Sequence, residues 1–179
     1  AYIQAMHKVL GQNLDIPAPD VYTNAQTMGW MLDEFERIKG RHEPGMITGK
    51  PVELGGLVLR SDATSKGGLI VIQEFISKLG LKAKDMRVAV QGFGNAGSFI
   101  AKMMADEGFK IVVTSDSQGG IYNAEGLDVK KIDEIKKNGG SVWDYKGAEK
   151  IDNAALLAMD VDILILAALE NQITKDNAG

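Results

Sequence analysis

The 179-residue sequence contains no cysteine. That removes disulfides, thiolate metal sites and cysteine nucleophiles together. Its two histidines, His7 and His42, lie far apart and in no ligand spacing such as HExxH, so no metal site is expected. No block of one charge sign is present. Lys and Arg number 20 against 24 Asp and Glu, are mixed with them throughout, and leave a formal net charge of −4. The basic footprint that a phosphate backbone requires is missing, and nucleic acid is not an expected partner. The longest apolar runs, such as VDILILAAL at 161–169, are too short to span a bilayer, so no membrane partner is expected. The opening AYIQAMHKVL lacks the charged start and long apolar middle of a signal peptide, and the expectation is a cytoplasmic protein. What the chain has in quantity is apolar surface. With 45% hydrophobic and 25% charged residues it can bury a core and is not disordered by composition. Its length suits one domain, with or without an appendage.

Residues 2–11 predict a short helix ending at Gly11, with Ile3, Met6 and Leu10 near one face. Each proline of DIPAPD (15–20) pushes its predecessor out of the α region, so that stretch is extended. Thr23 or Asn24 can cap a helix running to about Gly40, whose Met28, Met31, Leu32, Phe35 and Ile38 follow the helical period. Glycines and prolines make 40–56 a loop. A second long helix is expected from Ser61 or Asp62 to Gly80, burying Leu69, Ile72, Phe75, Ile76 and Leu79. Beyond it the pattern changes to a strand at 87–91, a helix at 95–108 and a strand at 110–115. A turn at Gly119-Gly120, helices at 128–138 and 152–159, and a strand at 161–166 complete the series. Uniformly apolar residues imply that this last strand is buried on both faces. Alternating strands and helices imply an α/β fold, a parallel sheet with flanking helices. Met28, Met31, Met103 and Met104 fall at helical spacing and are read as core.

Between a β-branched run and an amphipathic segment stands Gly92-Phe93-Gly94-Asn95-Ala96-Gly97, a match to G-x-G-x-x-G. Gly92 permits a sharp strand-to-helix turn, Gly94 lets a pyrophosphate approach the backbone, and Gly97 lets helix and strand pack closely. The helix start would offer free N–H groups and a positive dipole end to the anion. About twenty residues further on stands Asp116, where a carboxylate can accept from ribose hydroxyls and repel a 2′-phosphate. No arginine follows in SDSQGG, which favours NAD over NADP. Asp116 can also simply open the turn before Gly119-Gly120. Together these features predict a Rossmann-like, dinucleotide-binding unit.

Several segments, DIPAPDVYTNAQTMGWMLDEF, GMITGKPVELGG, RSDATSKGG, VAVQGFGNAG, SDSQGGIYNAEGLD and AALENQITKDNAG, resemble glutamate dehydrogenase, and more broadly the amino-acid dehydrogenases, in the same order along the whole chain. The resemblance implies oxidative deamination of glutamate to 2-oxoglutarate and ammonia with hydride transfer to NAD, and a homo-oligomer. It further implies a division into a remnant of the substrate domain at 1–22 and a dinucleotide-binding domain at 23–179. By position, Asp20 matches the catalytic carboxylate and Pro19 a substrate contact. Thr64 matches the residue on the nicotinamide carboxamide. Gly92, Phe93, Gly94, Asn95 and Ala96 match the cofactor loop, Asp116 and Ser117 the ribose end, and Ala167 and Ala168 the nicotinamide neighbours. By spacing alone Asp20 reads more readily as a loop residue near a helix start, and Thr64 reads equally as an ordinary first-turn residue. Lys50 and Lys66 read as solvated.

The family's glycine-rich segment with its catalytic lysine would precede residue 1, and further strands would follow Gly179. The resemblance therefore implies a truncated sheet and a chain inactive by itself. The apolar DILIL strand would then present an open edge or need a partner. Leu57, Val58, Leu59 and Leu166 depart from the family's usual small, turn or proline residues. Gly56–Arg60 can form a buried strand or an exposed patch that drives self-association. The competing reading is a non-catalytic nucleotide-binding or assembly module, natural or engineered, that keeps the fold but not the reaction.

Overall fold

Arg87–Gln91 forms strand β1, on which the larger part of the molecule is built. Its Val88 and Val90 face one core and Ala89 the other, the period-two alternation of a strand covered on both sides. The computed structural model describes residues 1–58 and 62–178. Leu59, Arg60, Ser61 and Gly179 lie outside the described residues, and with them the expectations placed on Leu59, Arg60 and a helix start at Ser61. The chain divides into two compact units, Ala1–Ser61 and Asp62–Gly179.

In the second unit, helix α3 (Ala63–Lys78) precedes β1, and α4 (Asn95–Asp106) connects β1 to β2 (Lys110–Asp116). Strand β3 (Gly119–Tyr122), α5 (Val129–Lys137), β4 (Glu149–Ile151), α6 (Asn153–Leu157) and β5 (Ile163–Leu166) follow. The sheet runs in the order β4-β3-β2-β1-β5. β1 pairs in parallel with β2 and β5, as the alternating pattern predicts. Two short strands extend it: β3 antiparallel to β2, and β4 antiparallel to β3. Gly119-Gly120, expected as a turn, opens β3. Helices α3, α4 and α5 supply Leu69, Ile76, Ile100, Met104 and Ile132 to one face of the sheet. The opposite face gathers Ala89, Val112, Val113 and Leu156 of α6. Val112 and Val113 reach the same side because the β1–β2 register slips between Val88 and Ala89.

Two burial expectations change. β5 lies at the edge of the sheet and is only half-buried, with Leu166 47% exposed, so its uniform apolarity does not mark a strand covered on both faces. Phe75 and Leu79 of the α3 region are exposed, Phe75 by 63%, together with Ile70 and Val71. The apolar arc of α3 is wider than the arc that meets the sheet.

In the first unit the opening helix is shorter than expected: α1 spans Tyr2–Met6 and Leu10 instead bridges to Asp15. α2 spans Ala25–Lys39. The Asn24 side chain accepts the Thr27 N–H at its start, and Gly40 closes it at φ 67°, a left-handed position that glycine takes without a Cβ clash. Met28, Leu32 and Phe35 pack with Ile3, Leu10, Met46 and Ile47. The Gln4 amide donates to Glu34 at 2.8 Å and so ties α1 to α2. Short 3₁₀ turns at Pro44–Met46 and Val52–Leu54 fill the expected loop. Leu57 belongs to no strand and is 77% exposed.

Candidate functional site

Between Gln91 and Asn95 the chain must leave the sheet and start a helix, and three glycines divide that work. Gly92 sits at φ 90°, and a Cβ there would stand 2.5 Å from the Ala167 carbonyl oxygen. A Cβ on Gly97 would collide with the Gly92 carbonyl oxygen, so only glycine lets α4 settle onto the turn. Gly94 differs from both. It is extended and exposed, and a Cβ there would meet nothing within 4 Å. Gly94, Asn95 and Ala96 are all exposed, and no side chain caps α4. A twelve-residue helix thus presents its uncapped, partially positive start on an open side of the turn.

Two buried hydroxyls brace this turn. Ser115 Oγ at the end of β2 accepts the Gly92 N–H at 3.1 Å. Ser65 Oγ in the first turn of α3 donates to the Ala96 carbonyl at 2.9 Å. On a third side the Ala167 N–H donates to the Gln91 carbonyl at 2.9 Å, continuing the β5 pairing past its last residue. The α3 start, the β2 end and the segment after β5 therefore converge on the glycine turn. Thr64, next to Ser65, is exposed, as are Ser117 and Ala168, and Ala167 is half-buried. Phe93 turns its ring into the core, which leaves only its main chain to the loop.

Asp116 ends β2, and its side chain is 7% exposed. Oδ1 accepts from the Gln118 N–H at 2.9 Å and the Ser141 hydroxyl at 3.1 Å. Oδ2 accepts from Lys136 Nζ at 2.8 Å and the Val142 N–H at 3.0 Å. Burial pushes this carboxyl up, but the Lys136 ammonium, the two amides and the hydroxyl together pull it below the ordinary aspartate value. The residue read as opening a turn does so, through Gln118, and is at the same time tied to the segment after α5.

In the first unit Asp20 is exposed. Its Oδ1 accepts the Val21 N–H at 2.8 Å, and its own N–H donates to the Thr23 hydroxyl at 2.7 Å. Tyr22 takes a positive φ of 61° in this turn. The preceding Pro19 lies against Gly49, where a Cβ would strike the proline ring, and Thr48 N–H donates to the Pro17 carbonyl at 3.0 Å. The PAPD segment is thus held by the 47–50 loop. Lys50 spends its ammonium on the Ile47 carbonyl at 2.8 Å.

Sequence reasoning passed over Ser65, Ser115, Lys136 and Ser141. Ser115 had one visible mark, a hydroxyl closing an apolar run just before the acid; the others had none. Among the described residues no group of three or more His, Asp or Glu is placed to hold a metal ion, and no helix is long and apolar enough to cross a membrane.

The profile of the family described as Glutamate/Leucine/Phenylalanine/Valine dehydrogenase matches residues 55–179. That of the Glu/Leu/Phe/Val dehydrogenase dimerisation domain matches residues 1–37. The chain is 49% identical over 177 residues to the cryptic catabolic NAD-specific glutamate dehydrogenase of Bacillus subtilis, covering 99% of this chain and 41% of that one. It is 44% identical over 186 residues to the NADP-specific glutamate dehydrogenase of a Synechocystis species, covering 99% of this chain and 44% of that one. Among solved structures, the hetero-hexameric glutamate dehydrogenase of Thermus thermophilus in its Leu-bound form matches with a TM-score of 0.88 at 30% identity, over 98% of this chain and 41% of that one. The chain therefore spans less than half the length of these relatives.

Proposed function

This chain belongs to the glutamate/leucine/phenylalanine/valine dehydrogenase family, and from that premise we propose that it is the cofactor-binding portion of a glutamate dehydrogenase, which converts L-glutamate to 2-oxoglutarate and ammonia. When bound, the nicotinamide dinucleotide supplies the hydride acceptor for that oxidation. The observation that carries the reading is the division of labour among the glycines. Gly92 and Gly97 are locked by contacts that forbid a Cβ, while Gly94 and the uncapped start of α4 face open space. Such a cradle fits a pyrophosphate, which needs bare main chain and N–H donors.

In this reading Gly92 to Ala96 hold the pyrophosphate, with Ser115 and Ser65 fixing the loop from below. Thr64 binds the nicotinamide carboxamide, and Ala167 and Ala168 flank the ring, their small side chains leaving room for it. Asp116 and Ser117 stand at the adenosine ribose. Asp20 moves the proton at the substrate nitrogen, and the Pro19 main chain contacts the substrate. NAD is the proposed cofactor, because SDSQGG brings no arginine to the ribose end. A homo-oligomer is proposed; the hetero-hexameric Thermus relative supports assembly into an oligomer, though from unlike subunits.

Titration of NADH into the purified chain, followed by nucleotide fluorescence, tests the site. A micromolar Kd is expected. Gly94→Val should abolish it with the far-UV circular dichroism unchanged, since the added side chain fills only the open side. Failure of the unmodified chain to bind NADH at any usable concentration would sink the reading.

A further inference from the structure

We infer that Gln91 is a positioning residue for the nicotinamide half of the cofactor, acting through the loop that follows β5. The inference rests on the cofactor reading above and deepens it. That reading sets Ala167 and Ala168 beside the ring, so whatever fixes this loop decides where the ring can rest. From Ala167 to Gln172 the chain forms neither helix nor strand, and Ala168 to Asn171 are exposed. Among the described residues, Ala168 to Asn171 make no hydrogen bond to the chain outside this loop.

Gln91 holds the loop at both ends. Its carbonyl accepts the Ala167 N–H at 2.9 Å. Its side-chain amide donates to Gln172 Oε1 at 2.7 Å and to Asn153 Oδ1 at 2.8 Å. Asn153, the first residue of α6, in turn donates to Gln172 Oε1 at 3.3 Å. Gln172 steadies what lies around it. Its amide donates to the Glu170 carbonyl at 3.1 Å, and its carbonyl accepts from Asn177 Nδ2 at 2.9 Å. β1, α6 and the loop thus meet at one amide, that of Gln91, which is 2% exposed. Packing does not account for an amide here. Gln91 Oε1 is buried without a hydrogen-bond partner among the described residues. An unpaired buried acceptor is destabilising, and a leucine would fill similar space without that penalty. What a leucine cannot supply is the pair of N–H donors that reach Gln172 and Asn153. The amide therefore serves the placement of the loop, and a loop already in place binds its ligand without the cost of ordering.

The test compares NADH with ADP-ribose, which has the same adenosine and pyrophosphate but no nicotinamide, by calorimetric titration of the full chain. Gln91→Leu and Gln172→Ala should each weaken NADH about tenfold and ADP-ribose less than about twofold, because the ordering cost falls on the ring. Both substitutions cut the same bond, so the double variant should lose less NADH affinity than the two losses combined. Circular dichroism checks that each variant is folded. Gln172 stands on a half-buried loop, and Gln172→Ala decides alone if Gln91→Leu does not fold. Folded variants that weaken neither ligand, or both equally, would overturn the role of Gln91 and leave the cofactor reading standing. Losses that combine in full in the double variant would do the same. If the unmodified chain binds neither nucleotide, both readings fall.

Discussion

At the scale of single residues, Asp116 shows how one carboxylate serves two ends. It closes the β2–β3 turn through Gln118 and anchors the Ser141–Val142 segment through a hydroxyl and an amide. With its ion pair to Lys136, these bonds favour the charged form over the burial that opposes it, so the folded carboxyl titrates below its ordinary value. The sign of the pH effect follows. A depressed folded value stabilises the protein fully above the unfolded aspartate value of about 4, and that stabilisation is lost as pH falls through the folded value. Urea unfolding of the unmodified chain and Asp116→Asn should therefore differ most near neutral pH, the gap narrowing as the pH drops below about 4. A gap that stays constant from neutral to acid would show that the carboxylate's charge has no part in it. The position of Asp116 was legible from its distance to the glycine run. Its partners were not, because Lys136 and Ser141 lie 20 and 25 residues away and carry no periodic mark.

Elements place these residues, and the closest approach among them is that of α4 to the turn after β1. Because a Cβ on Gly97 would strike the Gly92 carbonyl, Gly97→Ala must push the helix off the turn or bend the turn itself. Overpacking of this kind costs about 1–3 kcal/mol, and here it also displaces the N–H groups of the loop. A thermal melt and an NADH titration should both register the change. Full retention of stability and affinity would mean that the close packing is not needed. The three parallel strands, the cap at Asn24 and the helix–strand alternation were readable because each rests on local chemistry. β3 and β4 were hidden by their brevity and by the glycines that open β3, which mimic a turn. For α3 the period identified the helix but not the covered arc. Ile70, Val71, Ile72, Phe75, Ile76 and Leu79 run nearly round it, and only the neighbours present decide which are buried. The same limit applies to β5, where composition suggested two covered faces and sheet order made it an edge.

For the whole molecule the question is which parts of the proposed reaction these 179 residues carry. The glycine turn, its two serine braces, Asp116 with Lys136, and the Ala167 segment all lie in the Asp62–Gly179 unit, so the proposed nucleotide cradle is contained in one compact body. The proposed proton-transferring acid, Asp20, belongs to the other unit. The chain as a whole corresponds to 41% of its Bacillus relative. A carboxylate that moves a proton to an amine also needs a neighbouring cation to hold the substrate and tune its acidity. Lys50, within the loop that braces the Asp20 segment, donates its ammonium to the Ile47 carbonyl. Binding and turnover should therefore separate. The 179 residues by themselves are expected to bind NADH, yet to show no glutamate-dependent reduction of NAD above background in an absorbance assay at 340 nm, the band that reports the reduced nicotinamide. Asp20→Asn should leave NADH affinity unchanged, because the cradle lies in the other unit. Robust turnover by these residues alone would show that they already hold a complete catalytic apparatus. Loss of NADH binding in Asp20→Asn would show that the first unit takes part in holding the nucleotide.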